Sequence, residues 1–281
     1  MEARSSEIAV DASPDWATIS EQIECPLCGY NLRGIAEPRC PECGYKFTWR
    51  ELLSPQNRAH SPFFEHQAHR RWRAFWRTAV AGIFPSRFWR DATPAQPGFP
   101  GRLFIYFLAS TLIALMGEAA LLTYVGWCFW ISGFEVLMDV GGIFIPFALF
   151  TVLWPLATFG GLSVFQISMF RAKIYQIHVA RCVIYSADGL IWVGVALFVA
   201  SIAFFALAFC NRPPSQDSAL SFLWWPLAAW LAIFSYRLWR AYRLYLRFNH
   251  SAATVFCAEI IAALALPALA AICGYIAEIF E

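Results

Sequence analysis

From Leu103 onward the chain is a succession of apolar stretches with short polar breaks, and each is long enough to constrain the fold by itself. A bilayer interior offers the backbone no water. A crossing segment must therefore satisfy its own N–H and C=O groups, as a helix of about 20 apolar residues does. Five stretches qualify: Leu103 to about Phe129, Gly141 to Val164, Gly189 to Phe209, Phe222 to about Leu238, and Ala253 to Ile276. The predicted fold class is an α-helical polytopic membrane protein with five transmembrane helices and a small N-terminal metal-binding lobe. Composition agrees. Charged residues make up 14% of the chain and apolar residues 59%, with a mean hydropathy of +0.52, whereas a soluble domain carries about 25% charged residues.

The basic residues test this count of spans. Thirteen Lys and Arg precede the first stretch; Arg171, Lys173 and Arg181 fall between the second and third, and Arg237, Arg240, Arg243 and Arg247 between the fourth and fifth. Arg212 alone falls on the other side, with Glu135, Asp139, Asp217, Glu278 and Glu281, so 20 of the 21 basic residues share one side. Cytoplasmic loops carry that excess. The reading is an N-terminus in the cytoplasm and a C-terminus outside it. Met1 to Gln22 hold no apolar core of signal-peptide length.

Ahead of the spans stand two near-identical units, Cys25-Pro-Leu-Cys28-Gly-Tyr and Cys40-Pro-Glu-Cys43-Gly-Tyr. In each, two thiolates three positions apart sit on a tight turn. The following Gly can take the positive φ that such a turn demands, and the Pro stiffens the turn without adding an N–H. Two such turns brought together make a tetrahedral S4 cage of the kind zinc prefers. An iron S4 centre uses similar knuckles, but the short span between the pairs favours Zn2+. Four thiolates close the coordination sphere, so the metal is expected to be structural and to supply most of the folding energy of a lobe too small for a core of its own. The remaining cysteines, Cys128, Cys182, Cys210, Cys257 and Cys273, are scattered singly through apolar sequence and read as small hydrophobes. Intact thiolates fit a reducing compartment.

The organisation that follows is a disordered tail over 1–22, a zinc ribbon over 23–50, a juxtamembrane amphipathic helix and linker over 51–101, and the transmembrane domain over 102–281. Ser61-Pro62 is a good helix start. From it Ala68, Trp72, Phe75, Trp76, Ala79, Val80 and Ile83 share one helical face and Arg70, Arg73 and Arg77 the other, until Pro85. Basic opposite aromatic is the pattern of a helix lying in the membrane interface, and Arg87, Phe88, Trp89 and Arg90 continue it. Arg237, Arg240, Arg243 and Arg247, interleaved with Trp239, Tyr242 and Tyr245, read as arginines snorkelling from a span to anionic headgroups, and the loop Gln166–Tyr185 looks similar. Arginines this close to lipid leave no surface for nucleic acid.

Two ionisable residues fall inside spans, Glu118 in the first and Glu259 in the fifth, and such residues are candidates for function. Packing is the simpler role for two lone carboxylates. His60, His66 and His69 have no further ligand at metal spacing. No nucleophile elbow, HExxH or phosphate-binding glycine loop is present, and no enzymatic activity is expected. Gly141-Gly142 and Gly160-Gly161 would allow close helix approach.

The stretches Cys25 to Gly34 and Arg39 to Gly44 resemble the bacterial zinc-ribbon type CPxCGYxLRG…RCPECG. The membrane part resembles the Yip1 superfamily, whose cytosolic N-terminus and five helices are preceded by a Pro-Arg-Phe-like motif, here Pro85, Arg87 and Phe88. The Asp-Leu-Tyr-Gly-Pro signature of eukaryotic members is absent. The resemblance implies a non-enzymatic organising or adaptor protein of the bacterial inner membrane. Its ribbon would offer Tyr30, Asn31, Leu32, Arg33 and Tyr45 to a cytoplasmic protein. The alternative is an ion or small-solute transporter using Glu118 and Glu259, regulated by the ribbon.

Overall fold

The structure, a computed structural model, describes residues 14–17, 22–53, 63–66, 71–96, 98–131, 137–168, 174–210, 216–248 and 250–280. Helices dominate: α1 (Trp49–Leu53), α2 (Arg71–Gly82), α3 (Pro85–Asp91), α4 (Pro100–Ile131), α5 (Leu137–Ser168), α6 (Gln176–Ala187), α7 (Gly189–Cys210), α8 (Gln216–Leu244) and α9 (Ser251–Phe280), with a 3-10 turn at Phe64–His66. β pairing among the described residues is confined to two isolated antiparallel bridges in the N-terminal lobe, Glu24 with Asn31 and Arg39 with Lys46.

Four stretches of described residues are long and apolar enough to cross a membrane: Pro100–Trp127, Phe147–Val164, Gln176–Ala206 and Ser251–Ala268. The third begins earlier than the sequence pattern suggests. Asp188 keeps right-handed helical dihedrals between α6 and α7 (φ −63, ψ −10), so the chain passes from one to the other with little change of course. Much of the supposed loop Gln166–Tyr185 is therefore the helix α6, with His178, Val179, Arg181, Cys182 and Tyr185 buried. The expected fourth span lies within α8.

α4 runs parallel to α6 and α7 taken in succession, as three levels of contact show. Tyr106 meets Tyr185 at one end, Tyr124 stacks on Phe204 at the other, and Gly117 faces Gly194 between them. A Cβ on Gly117 would lie 2.1 Å from the Gly194 carbonyl oxygen. Neither residue belongs to the doublets that the sequence singles out. Of those, Gly161 does lie against Ala258 of α9, Gly160 faces open space, and Gly141-Gly142 have no described side-chain surroundings.

The juxtamembrane segment is built into the body. The proposed start at Ser61-Pro62 lies outside the described residues. α2 buries Ala74, Phe75, Thr78, Ala79 and Gly82, while Trp72, Val80 and Ile83 of the predicted apolar face remain exposed. Trp192 of α7 donates to the Ala79 carbonyl at 3.3 Å. Pro85 ends one helix and opens another, occupying the first turn of α3, which buries Phe88 and Trp89. A single hydrophobic core then runs from Leu27, Leu32 and Phe47 of the lobe through Phe63, Trp89, Tyr185 and Tyr245 into the helices.

Candidate metal centre and its seat on the helices

Each CPxCGY unit folds into the same knuckle. Gly29 donates to the Cys25 carbonyl and Cys25 to the Tyr30 carbonyl, both at 2.8 Å; Gly44 to Cys40 and Cys40 to Tyr45 repeat this at 2.9 Å. The glycines take the left-handed conformation the spacing calls for, with φ +72 at Gly29 and +73 at Gly44. The four Sγ atoms of Cys25, Cys28, Cys40 and Cys43 come within 4.8 Å of one another. Cys25 to Cys43 and Cys28 to Cys40 are each 3.6 Å apart, close to the edge of about 3.8 Å that four bonds of about 2.3 Å give in a tetrahedron. The donor set fits one metal ion with no position left for a substrate.

Its electrostatics favour a cation. In the metal-free cluster the hydrogen bond with Cys43 holds the Cys25 thiol down at about 5. Burial then pushes Cys28 up to about 12, and the bond to Cys25 raises Cys43. One negative charge excludes its neighbours until a divalent ion arrives to share them.

The lobe is seated on the helices through both knuckles. On the first, Tyr175 donates its backbone N–H to the Leu27 carbonyl at 2.8 Å, and His178 Nε2 lies 2.9 Å from the Pro26 carbonyl oxygen. The Tyr175 ring covers Gly29 so closely that a Cβ there would meet its hydroxyl at 2.1 Å. On the second, Arg247 donates to the Lys46 carbonyl and lies over the Tyr45 ring at 5.1 Å. Leu32 and Tyr45 are buried rather than presented, while Tyr30, Asn31 and Arg33 stay exposed. Even the tail takes part, since Trp16 packs edge-on against Trp49 at 5.2 Å.

Behind the first knuckle a chain of buried polar contacts enters the helices. His178 Nδ1 lies 2.8 Å from the Tyr245 hydroxyl, and Arg181 donates to that hydroxyl at 3.1 Å and to the Gln96 carbonyl at 3.1 Å. The Arg181 Nε–H reaches Glu65 at 2.5 Å, and Glu65 also accepts from the Phe99 N–H at 2.9 Å. Arg181 and Glu65 are both fully buried. A second buried pair, Arg237 with Asp188, lies beneath Gly82. Tyr106 donates to the same carboxylate at 3.1 Å.

These pairs correct two expectations. Arg237 turns inward to Asp188 instead of snorkelling to lipid, and Arg181 is an interior residue. Arg240 is half-buried, donating to Ser86 at 2.6 Å. Arg73, Arg77, Arg87, Arg90 and Arg243 are exposed, as is Trp72, and Trp76 is half-buried; Arg247, though exposed, turns to the lobe rather than to headgroups. Glu65 and Asp188 were missed. For Asp188 the available signal was a single acid in a basic loop, standing immediately before the apolar run that begins at Gly189; Glu65, among many acids ahead of the first span, carried none.

Glu118 is buried on α4 and accepts from Thr151 of α5 at 2.6 Å. Glu259 lies on α9 in a groove against α8 that Glu118 does not line. One carboxylate oxygen of each is buried without a hydrogen-bond partner among the described residues. His66 packs against Phe63 and Phe99, and His60 and His69 lie outside the described residues. Comparison with models of protein families, with curated proteins and with solved structures finds no match for this chain.

Proposed function

We propose that this is a non-enzymatic integral protein of a bacterial inner membrane whose cytoplasmic zinc ribbon is a rigid platform for a soluble protein partner. The observation that carries the reading is the division of the ribbon's surface. One side, with Leu27 and Tyr45, is seated against its own helices, and the edge bearing Tyr30, Asn31 and Arg33 is left to solvent. A platform needs a fixed base and a free edge, and this lobe has both. Zinc is the metal assigned, because an all-thiolate closed site in so short a span is its ordinary structural setting.

Five crossings are assigned, α8 being the fifth. Its 29 residues extend about 43 Å, enough to span. The start of α4, the start of α6 and the end of α8 gather at the Glu65–Arg181 chain, as expected of helices that alternate in direction, and the basic loops mark that end as cytoplasmic. Transport through Glu118 and Glu259 receives no such support, since the two carboxylates face different helix pairs.

The test places a photo-crosslinking residue at Tyr30 in intact cells, with Phe104 on α4 as the comparison position. A discrete soluble adduct is expected from Tyr30 alone, and it should vanish in Cys25→Ser/Cys40→Ser while membrane insertion persists. An adduct that survives the loss of both cysteines, or none from Tyr30, sinks the reading.

A further inference from the structure

Where α8 gives way to α9, two cavities join. The outer one, about 690 Å3, is lined by Arg243, Arg247, His250 and Ser251. The second, about 520 Å3, lies further along the helices, largely apolar with Tyr236, Val255 and Phe256, and ends at Ser235 and Glu259. Trp239, Ala252 and Ala253 line both, so the two form one groove. Its ends differ in chemistry, basic where the helices meet the lobe and apolar further in. The separation between Arg243 and Tyr236, seven residues along α8, is about 10 Å.

The basic end is built and held. The Arg243 guanidinium lies over the Trp239 ring at 5.6 Å, and no carboxylate among the described residues forms an ion pair with it. Arg247 is anchored on the second metal knuckle, through Lys46 and Tyr45. Its backbone has φ +57, a left-handed conformation that is unfavourable for a non-glycine residue. Residues held so cluster where a site is being shaped. The first turn of the 30-residue helix α9 adds the positive end of its dipole. At the waist, two successive alanines leave a recess that larger side chains would fill.

We propose that this groove binds one anionic phospholipid, its phosphate on Arg243 and the first turn of α9 and one acyl chain along Tyr236, Val255 and Phe256. The assignment rests on the reading of the chain as a membrane protein with this end at the cytoplasmic headgroups. Charge complementarity at one end and an apolar channel continuous with it select an amphiphile over either a free anion or a plain acyl chain. The tie from Arg247 to Tyr45 and Lys46 also links the lipid site to the metal centre.

The experiment uses the full chain, reconstituted in nanodiscs of mixed phosphatidylglycerol and phosphatidylcholine, exchanged into detergent and analysed by native mass spectrometry. About one phosphatidylglycerol per chain is expected to survive the exchange. Retention should fall at least tenfold in Arg243→Gln, which removes the charge, and in Ala252→Trp, which fills the waist without touching the buried core. Arg50→Gln, a change to an exposed arginine of α1 outside the groove, should leave it unaltered. Equal retention of phosphatidylcholine, displacement by soluble glycerol phosphate, or unchanged retention in both groove variants would overturn the proposal. Alkaline extraction of the same membranes separates the two levels of inference. A chain that stays in the membrane but holds no lipid sinks the groove assignment alone, and a chain that washes out sinks the membrane reading beneath it.

Discussion

Replacing Arg181 by Met removes a guanidinium that serves four buried neighbours at once. It donates to Glu65 at 2.5 Å, to the Gln96 carbonyl and the Tyr245 hydroxyl at 3.1 Å, and lies over the Phe63 ring at 5.1 Å. After substitution the Glu65 carboxylate keeps the Phe99 N–H as its remaining described donor. Breaking one side of a fully buried pair costs about 3–5 kcal/mol, because the surviving charge can neither leave nor find water. Glu65→Gln, which keeps shape and part of the hydrogen bonding, should cost less, about 1.5–3 kcal/mol. Glu65→Met/Arg181→Met removes both charges and should be more stable than Arg181→Met alone, with a coupling of about 2 kcal/mol or more in the cycle. Denaturant unfolding in mild detergent, followed by tryptophan fluorescence, measures these variants and the single Glu65→Met that closes the cycle. Maleimide labelling of Cys182, fully buried beside Arg181, reports the local opening. Additive single effects, or a loss below about 1 kcal/mol in Arg181→Met, would mean that the pair is solvated and that the buried polar chain does not hold these helices together.

Metal capture by the cysteines should weaken as pH falls. At neutral pH the metal-free cluster already holds Cys25 as thiolate, its thiol at about 5. Cys28, at about 12, and Cys43, raised, must both give up protons to the metal. Chelator competition between about pH 6 and pH 8 should therefore show affinity rising by at least roughly two powers of ten per pH unit; a flat profile refutes the assignment. The two knuckle glycines share a φ near +72, so Gly29→Ala and Gly44→Ala should each cost the lobe about 1–2 kcal/mol. Only Gly29→Ala also drives Tyr175 aside, so it should release metal faster, and Tyr175→Ala should reduce that difference; the reverse order argues against docking through Tyr175. Between the spans, Gly117→Ala must part α4 from α7 and should lose about 1–3 kcal/mol. Gly126→Ala, which meets nothing within 4 Å, should be neutral or stabilising by up to ~1 kcal/mol. Equal thermal stabilities for these two variants would dispose of the close contact.

The metal centre was legible because its chemistry is local. All four ligands lie between Cys25 and Cys43, and the required turn announces itself in the Gly that follows each pair. The long helices were legible because bilayer solvent imposes one backbone solution. Arginine near a membrane is ambiguous in sequence, since the same residue beside the same aromatics can reach for headgroups or turn inward. Arg243 remained outside. Arg181 found Glu65 across 116 residues of chain, and no local pattern shows such a partner. The lobe's free surface is hidden for the same reason: Tyr45 looks available until Arg247, just beyond α8, is brought over its ring.

Sequence alone determined that this chain has apolar helices long enough to span and a four-thiolate cage, because both follow from short-range geometry and from the solvent each segment can tolerate. Tertiary structure decided which charges are interior, which faces of the lobe remain free, and where a basic recess opens onto an apolar one. Those properties depend on which distant residues meet, and burial converts a lone charge from a surface decoration into a partner that must be found.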